Sequence, residues 1–397
     1  MKNLNAFKWA MMGALLAAPM SAPSVRAEEK QPGMTGTSVV IGTSIPLTGP
    51  AAEWGLAATA QEAFIARVND SGGLNGRMLK LVALDDGYIP PRTLINLKDM
   101  FEGGGAFALV GIFGSGCVSA AGEYVTSSGI PWVSPYTDSR NWVGRGAALA
   151  AIFAAYPDYF HEGRILADYA SGKMGLKKIA VFREEGADGS NWVKGAREGV
   201  AGRKAKLVLD LPFDLSITGV RPFALKIAQA KAAAVMIFAG RRHAAMLARA
   251  LSEIKPKPVI LATFTLGDPA MFDRAGEAWE GTVASSFFAS DEDEKAAKLI
   301  GELSVKTPLL KKSPFIALAG IAMIEPMLEG IKKAGRELSR DTFMLAMEDV
   351  RNFDGYAARG VTYGPGRRQG VDRIFLVKME KGKRLKLTDW IQYPVEY

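Results

Sequence analysis

The stretch Val39-Val-Ile-Gly-Thr-Ser-Ile-Pro-Leu-Thr-Gly-Pro50 constrains the fold more than any other part of the chain. An apolar strand that ends in Thr, Gly and Pro and passes straight into a helix is one βα unit of an open sheet. Beyond it, Leu56, Ala60, Phe64 and Val68 fall at near-helical spacing, so one face of that helix lies on the sheet. The turn aims backbone N–H groups and hydroxyls at the carboxyl edge of a parallel sheet, where open α/β proteins bind ligands. Thr48 and Gly49 are expected at that edge.

The unit then repeats. Residues 69–76 are a Gly-rich stop, residues 79–84 a buried strand, and Asp85-Asp86 read as structural residues ending it. Pro90-Pro91 opens a helix with Leu94, Leu97, Met100 and Phe101 on one face. Strands are expected at 107–113, ending in Gly114-Ser115-Gly116-Cys117, and at 130–134, followed by Pro135-Tyr136-Thr137-Asp138. Ser/Thr-rich loops thus leave three strand ends, which share one edge in a parallel sheet. After a linker over 145–156 the pattern restarts: helices at 161–171, 191–200, 220–230 and 243–251, strands at 178–182, 206–211, 233–238 and 259–262. Two series of similar length argue for two sheets. Near Gly281 the order changes to a strand at 282–287, an acidic segment at 291–294, and helices at 315–334 and 341–350. Tail strands are expected at 360–363, 372–379 and 384–391.

A chain of 397 residues fits about two ordinary domains. Its 48% hydrophobic content argues against disorder. The net charge of +8 is spread over short groups such as Arg241-Arg242, Arg367-Arg368 and Lys381-Gly382-Lys383-Arg384, read as solvated faces, so nucleic acid is not an expected partner. One cysteine, Cys117, and two histidines, His161 and His243, exclude an internal disulfide and a Cys/His-rich metal centre, and no cofactor is expected. Cys117 reads as a small buried residue; the histidines, on helices, as solvent-facing or capping.

Residues 1–27 read as an export signal. Lys2 and Lys8 precede a mostly apolar run, and Val25-Arg26-Ala27 offers a cleavage site. Pro19, Ser21 and Pro23 interrupt that run before the roughly 20 residues a membrane span needs, and the segment 146–155 is also too short. No cysteine follows the signal to carry a lipid. The mature chain is therefore expected to be soluble outside the cytoplasm, without membrane insertion.

The segment Ile41-Gly-Thr-Ser-Ile-Pro-Leu-Thr-Gly49 resembles the opening of the type I periplasmic solute-binding proteins of the branched-chain amino acid uptake group. The resemblance continues through Asn69, Gly72-Gly73, Gly76-Arg77, Asp85-Asp86, Pro131, Ser134-Pro135, the 233–240 strand, Glu280-Gly281, Thr362-Tyr363 and Gly370. It implies an α/β protein of two doubly wound three-layer lobes joined by three hinge crossings, near residues 152, 284 and 362. The lobes would comprise 36–151 plus 285–362 and 152–284 plus 363–397, closing on a ligand like a Venus flytrap. The implied activity is capture of a small organic solute, an amino acid, organic or aromatic acid or amide, for delivery by a monomer to a membrane ABC permease.

The resemblance also implies a set of cleft residues. Ser115 and Gly116 match a loop whose hydroxyl and amides hold a ligand carboxylate, a chemistry suited to a Gly-flanked hydroxyl at a helix start. A plain N-cap is the other role open to Ser115. Tyr136, Thr137 and Asp138 match the next loop, with a surface turn as the alternative for Asp138. Trp54 stands where the family often places an aromatic against the ligand, and Asp188 at another common tyrosine position. Gly240 ends a strand whose loop reaches the cleft, and Phe264 replaces an acidic residue of the leucine-type binders. An α-ammonium buried in the cleft needs a carboxylate, which leaves Asp138 or Asp188 to supply it. Trp54, Tyr136 and Phe264 suit a planar or apolar ligand body. Two other functions compete. A hydrolase using Ser115 lacks the Gly-x-Ser-x-Gly spacing and an evident histidine, while a ligand-sensing subunit is compatible with the same fold.

Overall fold

The structure, a computed structural model, describes residues 32–103, 105–143, 149–290 and 292–395. The expected export signal lies outside the described residues. The chain opens with β1 (Ser38–Ile45), α1 (Gly55–Asp70), β2 (Met78–Asp85), α2 (Pro90–Glu102), β3 (Ala108–Val110), α3 (Ser115–Ser128), β4 (Trp132–Val133) and β5 (Ile152–Phe153). These strands form an all-parallel sheet in the order β2-β1-β3-β4-β5. β3 and β4 are shorter than the sequence suggests. Ile112 (φ 70°) and Ser134 (φ 58°), just past their ends, take left-handed backbone and turn the chain off the sheet.

A second series follows: α4 (Tyr159–Asp168), β6 (Lys178–Glu184), α5 (Ala187–Val200), β7 (Lys206–Phe213), α6 (Arg221–Gln229), β8 (Ala234–Phe238), α7 (Arg241–Ser252), β9 (Val259–Ala262), α8 (Met271–Ala275) and β10 (Val283–Ser286). The chain then forms α9 (Glu294–Lys306), α10 (Pro314–Ala334), α11 (Arg340–Glu348), β11 (Arg373–Glu380), β12 (Lys383–Lys386) and β13 (Ile391–Gln392). The larger sheet runs β12-β11-β10-β9-β8-β6-β7, parallel from β7 to β10, with β11 antiparallel and β13 beside it. Two parallel βα sheets with helices packed on them make a two-lobed α/β protein.

Several expectations need correction. The linker over 145–156 contains β5, and its residues 145–148 lie outside the described ones. Residues 360–363 form no strand; Val361 makes an isolated bridge to Phe353. The strand expected over 384–391 is split into β12 and β13. α9 is not among the expected helices although Ala296, Leu299, Ile300 and Leu303 fall at helical spacing, and the acidic segment before it supplies its cap, Asp293 accepting the Ala296 N–H at 3.0 Å.

The longest helix, α10, is apolar enough to cross a membrane, yet 89% of its most apolar window is buried inside the protein. It lies so close to α1 that a Cβ on Gly320 would stand 2.5 Å from the Ala57 carbonyl oxygen. There Gln61 Nε2 donates to the Gly320 carbonyl at 3.1 Å. The buried Glu325 carboxylate accepts the N–H groups of Tyr356 (2.5 Å), Ala357 (3.0 Å) and Ala358 (2.7 Å), tying their loop to α10. In the other lobe α4 and α5 cross through glycines, the Cβ position of Gly195 falling 1.7 Å from the Phe160 carbonyl oxygen. Glu162, buried on α4, takes hydrogen bonds from Trp192 Nε1, the Thr263 hydroxyl and the Phe264 N–H, each at 2.9 Å, and from the Ser285 hydroxyl. That carboxylate sets the loop after β9, which forms one wall of the cleft.

Candidate functional site

Loops at the carboxyl ends of strands from both sheets converge on a cleft of about 270 Å³. The first sheet supplies Pro50, Ala51, Glu53 and Trp54 after β1, Tyr88 after β2, Phe113 to Ser115 after β3, and Tyr136 after β4. The second supplies Glu184 at the end of β6, Phe238 to His243 around the start of α7, and Thr263 and Thr265 after β9. Tyr156 and Tyr159 sit where the chain passes from one sheet to the other. A larger hollow of about 570 Å³, between Asp268 and Phe315, touches none of the loops after β1 to β4 and none of the loops after β6 to β8. The cleft is the place where an open α/β protein of this topology takes a ligand.

Its walls are aromatic. Trp54 stacks on Phe113 at 4.4 Å, with the edges of Tyr136 and Phe264 at 6.1 and 6.3 Å. Arg241 lies over the Trp54 ring at 5.3 Å and pairs with Asp268 at 2.9 Å, while Arg274 pairs with Glu53 at 3.1 Å. Tyr88 holds a left-handed backbone (φ 62°), its N–H received by the Asp86 carboxylate at 2.9 Å. Its ring leaves no space for a side chain at Gly114 (φ 91°), whose Cβ would stand 2.4 Å away.

Four expected site residues line the cleft: Trp54, Ser115, Tyr136 and Gly240. Gly116, Thr137, Asp138, Asp188 and Phe264 do not. Thr137 and Asp188 lie directly behind Ser115: the Asp188 carboxylate accepts the Ser115 hydroxyl, the Thr137 hydroxyl at 2.5 Å and Asn141 Nδ2 at 2.9 Å. This joins the loops after β3 and β4 to the start of α5, bridging the lobes. Ser115 is not the cap of α3, since Gly114 holds that position. Asp138 is no surface turn either. Fully buried, it accepts the Tyr159 N–H at 3.0 Å and Asn191 Nδ2 at 2.8 Å, and burial with the neighbouring Asp158 charge pushes its pKa up to about 7. Phe264 is buried behind Trp54 and Tyr156.

Thr48 and Gly49 are also displaced from their expected role. Asp85 takes the Leu47 N–H at 2.8 Å, the Thr48 N–H at 3.1 Å and the Thr48 hydroxyl at 2.6 Å, holding that turn outside the cleft. The Thr48 hydroxyl leads the causes that lower the Asp85 pKa to about 2. The two aspartates are thus structural, as their sequence position suggests. Cys117 is buried, with burial raising its pKa to about 11. The histidines are buried rather than solvent-facing: His161 stacks on Tyr393 at 4.7 Å, and His243 Nε2 lies 3.1 Å from the Ile217 carbonyl oxygen. Arg241, Arg368 and Arg384 are not solvated either, each lying over an aromatic ring.

Sequence reasoning missed Tyr88, Phe113, Tyr156, Tyr159, Glu184 and Phe238. The strand-end rule that pointed to Ser115 applies equally to Tyr88, just past the end of β2, and to Glu184 and Phe238, the last residues of β6 and β8. Glu184 accepts the Gly240 N–H at 2.5 Å, and burial, with the Asp188 charge adding to it, pushes its pKa up to about 7.

The topology and the shared cleft define a two-lobed periplasmic binding protein of type I. Residues 38–384 match the periplasmic binding protein family, and the chain belongs to it. A curated relative, Leu/Ile/Val-binding protein homolog 3 of Brucella melitensis, is 23% identical over 301 residues, 75% of this chain and 79% of the relative. The fold is shared with a branched chain amino acid ABC transporter protein from Thermus thermophilus with bound valine (TM-score 0.81, 16% identity, 90% of this chain and 97% of that one). It is shared too with a solute-binding protein from R. palustris in complex with benzoate (TM-score 0.76, 21% identity, 88% and 95%). The chain is a non-enzymatic solute-binding component of ABC transport, and the hydrolase reading of Ser115 falls away. Members of the family bind small molecules, act in the periplasm and work with ABC permeases.

Proposed function

We propose that this chain captures a small organic solute between its lobes at Trp54, Ser115, Tyr136 and Gly240 and hands it, in the closed form, to a membrane ABC permease. The observation that carries this reading is the convergence of loops from both sheets on one aromatic cleft. A solute touching both lobes favours the closed arrangement by the difference between its closed-state and open-state affinities. Thr137 and Asp188 act from behind the wall by orienting Ser115. The lobe boundaries proposed are 36–151 with 285–362 and 152–284 with 363–397. The smaller sheet ends at β5, and β11 returns to the larger one, which supports the first and last of the three crossings. We further infer a monomer exported on residues 1–27, with no lipid anchor and no affinity for nucleic acid.

A thermal-shift screen of amino acids, organic acids, aromatic acids, amines and amides tests this. A ligand at about 100 times its dissociation constant adds about 2.7 kcal/mol of stability. A stabilising solute that also protects Trp54 from fluorescence quenching is the expected result. Stabilisation by none of these classes would refute it.

A further inference from the structure

The cleft already spends its anion-binding donors on the chain's own carboxylates. Asp188, in the first turn of α5, accepts Ser115 at the start of α3 together with Thr137 and Asn141. Glu184 accepts the Gly240 N–H at the start of α7. Three helix N-termini that would attract a ligand carboxylate therefore each face a carboxylate of the protein. Among the cations, Arg241 and Arg274 are matched by Asp268 and Glu53, and Arg242 stands exposed at the mouth. Glu184 and Asp188 enter no ion pair among the described residues, and the Asp188 charge bears on Glu184. Tyr136, which lines the same cleft, has a buried hydroxyl with no hydrogen-bond partner among the described residues. A cleft carboxylate without a cationic partner, set among aromatic walls, calls for a hydrogen-bond donor, best a cation, which the rings also attract; the Tyr136 hydroxyl can accept from or donate to the same solute.

We propose that the cognate solute carries a flat apolar body and an ammonium head, that Glu184 receives the head, and that Asp188 excludes carboxylates from the Ser115 end. This rests on the receptor reading above and narrows it to one solute class. The volume of about 270 Å³ suits one compact ring-bearing molecule.

The test is isothermal titration of the chain with benzylamine, benzoate and valine, each alone. Benzylamine should bind at least about tenfold tighter than benzoate, which lacks the donor the site is built for, and than valine, which keeps the ammonium but adds a carboxylate that Asp188 repels and has no ring. Glu184→Gln should weaken benzylamine about tenfold. Asp188→Asn, which removes the charge and keeps the shape, should raise benzoate affinity about tenfold; if that variant fails to fold, the Glu184→Gln result decides alone. Benzoate binding the unaltered chain as tightly as benzylamine would overturn the ammonium head, and valine doing so would overturn the exclusion of carboxylates; either outcome leaves the receptor reading intact. Binding of none of the three would overturn the head assignment, and the broad thermal-shift screen would then decide the receptor reading separately.

Discussion

Replacing Glu184 by Gln should flatten part of the protein's pH–stability profile. In the folded chain burial, assisted by the Asp188 charge, raises the Glu184 pKa from 4.5 to about 7, against the opposing Gly240 N–H. Between those values the folded state holds a proton that the unfolded state has lost, so stability is fullest below pH 4.5 and falls as pH rises towards 7. At about 1.4 kcal/mol per pH unit, the fall has a ceiling of about 3 kcal/mol. Gln keeps an oxygen for the Gly240 N–H and does not titrate. Asp138, raised from 3.8 to about 7, contributes a fall of the same sign in both proteins, so the informative quantity is the difference between variant and parent. Urea unfolding of ligand-free protein at several values from about pH 4.5 to about pH 7.5 measures it. The variant should gain on the parent steadily across that range, by about 1 to 3 kcal/mol in total. Parallel profiles within about 0.5 kcal/mol would mean that water reaches the carboxyl and that the reasoning from burial is wrong.

Other outcomes follow from the same geometry. An ammonium ligand stabilises ionised Glu184, so its affinity should rise with pH through about 7, read by titration at pH values on either side; a flat profile would remove Glu184 from the site. Trp54→Ala and Ser115→Ala should each weaken solute binding without unfolding the chain, although the Trp54 change also costs about 3 kcal/mol or more of packing; unaltered affinity in both would show that the cleft is misplaced. Gly195→Ala, at a 1.7 Å approach to Phe160 O, should cost at least about 1–3 kcal/mol in denaturant unfolding, because two helices must separate; an unchanged midpoint would contradict the α4–α5 contact. Mass spectrometry of the exported protein should find Glu28 as the new amino terminus.

The succession of strands and helices along the chain, the helix faces and the change of pattern near Gly281 were legible in the sequence because apolar spacing is a local property. So was the edge on which ligands are read, since parallel βα units deliver their loops to one side. Ser115 and Tyr136 could be placed there from their strand ends alone. The sequence did not decide which neighbours those loops meet. Asp85 draws Thr48 away from the cleft across 37 residues, and Asp188 reaches Ser115 across 73. Burial of His161, His243, Arg241 and Asp138 is likewise set by what packs over them, so residues typical of surfaces ended inside. Spacing along the chain specifies elements; only the approach of two sheets specifies which carboxylate answers which hydroxyl, and that pairing determines what the cleft accepts.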